Sequence, residues 1–212
     1  MLGTTNLEVF VAAGLLLNIT PGADILFIAS RSAAQGIKAG IVAALGIGAG
    51  CFIHILFAAF GLSVLLATSA LAFTAVKLAG GAYLVYLGIA SLLSLGRKPT
   101  LENTPRCSPQ PYGIIFRQAI LVNALNPKVA LFFMAFLPQF VAQGGASPTI
   151  SFLFLGCLFD FNGTLVNIVF AVGAAKLAGK FRQSANLARM LKSAVGGLFI
   201  WLGVRLALTV QR

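Results

Sequence analysis

Two short stretches of this sequence set a proline and several polar groups inside apolar runs. The first holds Asn18, Thr20, Pro21, Gly22 and Asp24, and the second Asn123, Asn126, Pro127 and Lys128. Proline has no N–H to give a helix, so Pro21 leaves the carbonyl of Leu17, and Pro127 that of Asn123, without its helical partner. The segment resuming after each proline opens with unpaired N–H groups and the positive end of a helix dipole, which suits a carboxylate. Asp24 puts a negative charge one turn past the first break, where it suits an ammonium. The amides of Asn123 and Asn126 can answer backbone groups or a ligand. Two readings of Asp24 stay open: it meets a substrate ammonium, or it pairs with a basic side chain such as Lys128.

His54 and Asp160 also lie within apolar runs, and both can take up and release protons. They are candidates for proton coupling, with hydrogen-bonded packing as the alternative for His54. Lys77 and Lys192 can bind a substrate carboxylate or snorkel to the membrane surface. Tyr83, Tyr86 and Trp201 suit a cavity wall, an interface or plain packing. One His, scattered Cys and few carboxylates meet no usual metal-ligand spacing, so no metal and no other cofactor is expected. There is no C-x-x-C pair, no G-x-S-x-G elbow and no phosphate loop, so an enzyme, a thiol-redox protein and an ATP-driven pump are not expected.

The elements that must hold these residues are membrane helices. Of 212 residues, 59% are hydrophobic and 9% charged, with mean hydropathy +0.98, whereas soluble domains carry roughly 25% charged residues. The excess of Lys+Arg 15 over Asp+Glu 4 sits almost wholly in connections between apolar runs, which sets orientation in a bilayer and does not suggest nucleic acid. Six spans are expected, at about 7 to 30, 39 to 64, 71 to 95, 113 to 138, 149 to 174 and 190 to 209. Basic connections (Arg31, Lys38; Arg97, Lys98, Arg106; Lys176, Lys180, Arg182, Arg189) alternate with uncharged ones, which puts them in the cytoplasm and both termini outside. No Lys or Arg precedes Arg31, so the first span lacks the basic start of a cleaved signal peptide and is expected to stay.

The proline-rich segment 96–112 divides a single transmembrane domain, residues 1–212, into repeat one (1–95) and repeat two (113–212). Setting Pro127 on Pro21 also sets Gly156-Cys157 on Gly50-Cys51 and Asp160 on His54; a further nine-residue offset sets Lys192 on Lys77. Three spans per half make the copies inverted. The expected fold is thus an all-α membrane protein of six transmembrane helices, two inverted three-helix repeats with helices 1 and 4 broken, and a substrate site near the midplane between them. Gly46-x-x-x-Gly50 is a weak signal for a homodimer.

These motifs resemble the LysE/RhtB family of amino-acid exporters over essentially the whole chain. The family's T-P-G-P-D is matched by Thr20-Pro21-Gly22-Ala23-Asp24, with Ala23 in place of the second proline. Its K-x-x-G-x-x-Y-L-x-Y-L-G is matched from Lys77 through Gly80, Tyr83 and Tyr86 to Gly88. Its F-x-x-G-x-x-x-N-x-x-N-P-K is matched from Phe116 to Lys128, with Ala119 in the glycine position. His54 and Asp160 also resemble family positions. The resemblance implies export of small amino acids or their derivatives across the bacterial inner membrane by proton antiport. The alternatives are an exporter of another small solute or cation and, from a different class, a membrane-embedded enzyme or scaffold.

Overall fold

The computed structural model describes residues 3–20, 22–93, 108–142 and 147–176, with single helical positions at 193, 197, 200, 201 and 204. All elements among them are helical. They are α1 (Leu7–Ile19), α2 (Ala23–Gln35), α3 (Ile37–Leu56), α4 (Ser63–Thr68), α5 (Ala70–Leu93), α6 (Tyr112–Ala124), α7 (Pro127–Phe136) and α8 (Pro148–Lys176). A π-helical stretch, Phe57–Leu62, joins α3 to α4, and a 3-10 turn, Leu137–Phe140, follows α7.

Two of these helices, Ile37–Leu65 and Pro148–Lys176, are long and apolar enough to cross a membrane, and four if each bent pair is one span. The bent pairs are α1 with α2, at 51°, and α6 with α7, at 47°. The bends fall at the two breaks expected from Pro21 and Pro127 in the sequence. Pro127 starts α7, and Asn126 caps that helix by accepting from the Lys128 N–H, a favoured arrangement because proline's missing N–H is one the first turn leaves unused. Pro21 lies outside the described residues, as do most of the sixth expected span, including Lys192, and the segment 94–107.

Helix α3 lies at the centre, against α2, α6 and α8. Its glycines let it do so on two sides. A methyl at Gly46 would stand 2.6 Å from the Ala119 Cβ and the Phe116 carbonyl, and one at Gly50 2.6 Å from the Ile120 carbonyl, all on α6. One at Gly48 would stand 2.7 Å from Thr164 Oγ1 on α8. Small residues thus bring backbones together, as is usual between membrane helices, and the Gly46/Gly50 face is used within the chain. The end of α3 and the π-helical stretch after it expose Phe52, Leu56, Phe57 and Phe60, an apolar surface suited to lipid.

The interior falls into two apolar clusters. One is rich in aromatic rings, with Phe10, Phe132, Phe133, Phe136, Phe140 and Phe159 packed among Leu17, Ile55 and Leu155. The other is built of smaller groups: Ile28, Ala39, Ala43, Ala44, Ile47, Ile115, Ala119 and Ala171. Arg31 lies past this second cluster and departs from the sequence expectation of a basic turn. Helix α2 runs on to Gln35, and Arg31 is only 6% exposed.

Candidate functional site

The two breaks meet. Asn123, at the end of α6, and Asn126, before α7, each donate from Nδ2 to Oδ2 of Asp24, at 3.1 and 3.0 Å. Lys128 reaches back the other way, its Nζ donating to the carbonyls of Leu17 at 2.9 Å and Thr20 at 3.0 Å. The orphan carbonyl expected at Leu17 therefore receives an ammonium, at the negative end of the α1 dipole. The orphan carbonyl of Asn123 has His54 Nε2 at 2.9 Å and the Asn126 N–H at 2.8 Å. A ring nitrogen facing a carbonyl carries the proton, which fixes Nε2 of His54 as a donor. Each break is thus capped by a basic side chain from the other half of the sequence.

Between the breaks lies a cavity of about 20 Å³ lined by Leu17, Asn18, Asp24, Ile25, Ile47, Cys51, Asn123, Lys128, Val129, Phe159, Asp160, Gly163 and Asn167. That is room for roughly one water. Three buried polar atoms of its lining have no hydrogen-bond partner among the described residues: Asn18 Nδ2, Asp24 Oδ1 and Asn123 Oδ1. Unpaired buried polar atoms are costly and uncommon, and here two acceptors and one donor converge on one space. Helix α2 adds to them, because its N-cap residue Gly22 has no side chain to cap the first turn. By contrast α7 is capped by Asn126, so the two half-helix starts are not equivalent.

The sequence candidates divide accordingly. Asn18, Asp24, Asn123, Lys128 and Asp160 come together around the cavity, with Thr20, Gly22, Asn126 and Pro127 forming the adjoining turns. His54, 8% exposed, is not on that wall. It lines a separate open groove of about 280 Å³ with Ile53, Phe57, Ala124, Ala130, Phe133 and Met134. The imidazole still connects to the cavity through Asn123, whose backbone it holds and whose side chain holds Asp24. Lys77 and Tyr83 lie in α5, but their side chains fall outside the described residues. No group of three or more His, Cys, Asp or Glu able to hold a metal occurs among the described residues.

With the geometry in place, similarity to known proteins decides the class. Residues 15–210 match the LysE type translocator family. The chain belongs to that family. As a LysE type translocator it is a multi-pass membrane transporter and not an enzyme. Relatives of this translocator span nearly its whole length. An uncharacterized membrane protein of Pseudomonas aeruginosa is 35% identical over 97% of this chain and 96% of its own. Leucine efflux proteins of Salmonella choleraesuis and Salmonella typhimurium are each 28% identical over 97% of this chain and 96% of their own. No solved structure is significantly similar.

Several wall residues of the translocator's cavity were missed from sequence, among them Asn167, Gly163 and the apolar Leu17, Ile25, Ile47, Val129 and Phe159. Asn167 is a single amide two turns beyond Asp160, and that seven-residue spacing on one helix face was the available signal. Gly163, between them, admits the Asn18 side chain, since a methyl there would stand 3.0 Å from Asn18 Nδ2.

Proposed function

We propose that this translocator exports a zwitterionic amino acid with an apolar side chain, leucine or one like it, across the cytoplasmic membrane by proton antiport. The observation that carries the reading is the convergence of Asn18 Nδ2, Asp24 Oδ1 and Asn123 Oδ1, all unpartnered, on one buried space between two broken helices. The two acceptors suit an ammonium. The amide donor and the uncapped first turn of α2 suit a carboxylate. Leu17, Ile25, Ile47, Val129 and Phe159 offer an apolar wall for the side chain, and the leucine efflux relatives support that class. A space for one water is too small for any amino acid, so the substrate is admitted only when the halves separate.

The six-span inverted repeat belongs to the same reading. In its support, the second span of each half packs on the broken span of the other, α3 on α6 and α8 on α1 and α2. The basic residues on the connections favour a cytoplasmic loop 96–112 and both termini outside. A homodimer would have to use some face other than Gly46/Gly50.

Proton coupling is assigned to Asp160, on the cavity wall, and His54, behind Asn123. Leucine-loaded vesicles given an inward proton gradient are expected to lose label faster than vesicles without one. Asp160→Asn is expected to remove that acceleration while leaving gradient-free exchange intact, and His54→Ala to weaken both. If both variants keep full gradient-driven flux, the coupling assignment is wrong. If the gradient has no effect on the parent protein, antiport itself is wrong.

A further inference from the structure

Arg31 is a buried cation whose hydrogen-bond partners among the described residues include no acid. Its Nη2 donates to Gln110 Oε1 at 2.7 Å and Gln118 Oε1 at 2.9 Å, and its Nη1 to the Ser108 carbonyl at 3.4 Å. Its Nε is buried without a partner among the described residues, and its guanidinium carbon lies 5.4 Å from the centre of the Phe27 ring. Gln35 adds a two-way bond with Gln110, donating to its carbonyl and accepting from its N–H, each at 2.9 Å. These contacts join the end of α2, in the first half of the chain, to the start of α6, in the second. Neutral amide oxygens compensate a buried guanidinium less fully than a carboxylate does, and its planar fork matches a carboxylate with two bonds at once.

The place of Arg31 gives the arrangement a purpose. Asp24, Ile28 and Arg31 fall on one face of α2, with Arg31 about 10 Å beyond Asp24 at helical rise. Ile28, fully buried, stands between them in the cluster of small residues, with Ala43, Ala44 and Ala119. On the other side of the cavity the barrier is a stack of phenylalanines. The barrier of smaller side chains is thus the one Arg31 overlies.

We propose that Arg31 is a docking site for the carboxylate of a zwitterion arriving from the side of the 96–112 loop. The carboxylate displaces Gln110 and Gln118 from the guanidinium, and losing those bonds unlatches α2 from α6. The proposal rests on the carrier reading above, and it makes one residue both the latch and the recognition element.

Cys51 reports on the latch, because it lines the cavity and is 3% exposed. With Cys107 and Cys157 changed to Ser, its alkylation by N-ethylmaleimide in inside-out vesicles needs no substrate. Arg31→Gln is expected to speed that alkylation at least about tenfold, as loss of a charge-assisted hydrogen bond implies. The pair Gln110→Ala with Gln118→Ala, which keeps the guanidinium, is expected to speed it too. Leucine flux from the same side then separates the roles. Arg31→Gln is expected to raise KM at least about tenfold with a saturated rate near the parent's, whereas the glutamine pair leaves KM unchanged or lower. Unchanged alkylation in Arg31→Gln overturns the latch. Faster alkylation with KM behaving as in the glutamine pair overturns the docking. A parent protein that moves no leucine or other amino acid defeats the carrier reading and the docking with it, while the alkylation rates still judge the latch.

Discussion

Asp24→Asn is expected to weaken substrate binding severely and leave a folded protein. The change keeps the size of the side chain and one oxygen able to accept from Asn123 or Asn126, which now donate to Asp24 Oδ2 at 3.1 and 3.0 Å. What it removes is the negative charge at Oδ1, the acceptor left unpartnered in the cavity. A hydrogen bond between an ammonium and a buried carboxylate contributes about 2 kcal/mol, so leucine affinity should fall about thirtyfold or more. Thermal unfolding in detergent should change little. Asn126→Leu, by contrast, removes both a donor to Asp24 and the cap of α7. It should weaken binding and lower the unfolding temperature together. Full leucine flux in Asp24→Asn would remove this carboxylate from the site.

Gly50→Leu carries the largest expected effect on the fold. Even a Cβ there meets the Ile120 carbonyl at 2.6 Å and the Asn123 Cβ at 2.9 Å. Backbone of α6 cannot yield as the tip of a flexible side chain can, so α6 must move away from α3. Overpacking of this kind typically costs 1–3 kcal/mol, and about 3 or more is expected where backbone is the obstacle. The movement also separates His54 on α3 from the Asn123 carbonyl, so flux should be lost along with stability. Gly50→Ala should show a smaller loss of the same kind. Gly173→Ala in α8 is the control: nothing lies within 4 Å of the added methyl, and exchanging glycine for alanine in a helix is neutral or stabilising by up to about 1 kcal/mol. Unfolding temperatures of the three variants in one detergent check the series. Equal values for Gly50→Leu and Gly173→Ala would mean that α3 and α6 are not in close contact.

Much of the site was legible because proline acts locally. Pro21 and Pro127 identify the orphan carbonyls at Leu17 and Asn123 from the chain alone, since the missing N–H and its acceptor are separated by a fixed four residues. The donors that answer those carbonyls were not legible. Lys128 finds Leu17 across 111 residues of sequence and His54 finds Asn123 across 69, and no local pattern encodes which chain segments will be neighbours. The lysine was weighed as a partner for the Asp24 carboxylate, yet its ammonium goes to the end of α1, where two carbonyls and the helix dipole converge.

Arg31 illustrates the same limit from the opposite direction. A charge at the edge of an apolar run reads as a turn at the membrane surface, because burying it alone costs several kcal/mol. The compensation comes from Gln110 and Gln118, residues that carry no signal of their own in sequence. Gly46 and Gly50 read in sequence as a weak dimer signal, and the fold sets α6 against them and α8 against Gly48. The repeat expected from sequence aligns His54 with Asp160 as candidates for proton coupling. Their surroundings differ, with the imidazole behind a backbone carbonyl and the carboxylate on the cavity wall.

Under the proposed function, the space between the two breaks binds a zwitterionic amino acid and carries it across the bilayer. Counterflow tests it most directly: purified protein in liposomes loaded with unlabelled leucine, diluted into a trace of labelled leucine with no proton gradient. The expected result is transient accumulation of label that saturates with leucine, is competed by other apolar amino acids and is lost in Asp24→Asn. Label that enters no faster than into empty liposomes, for leucine and for every other amino acid tried, would contradict it.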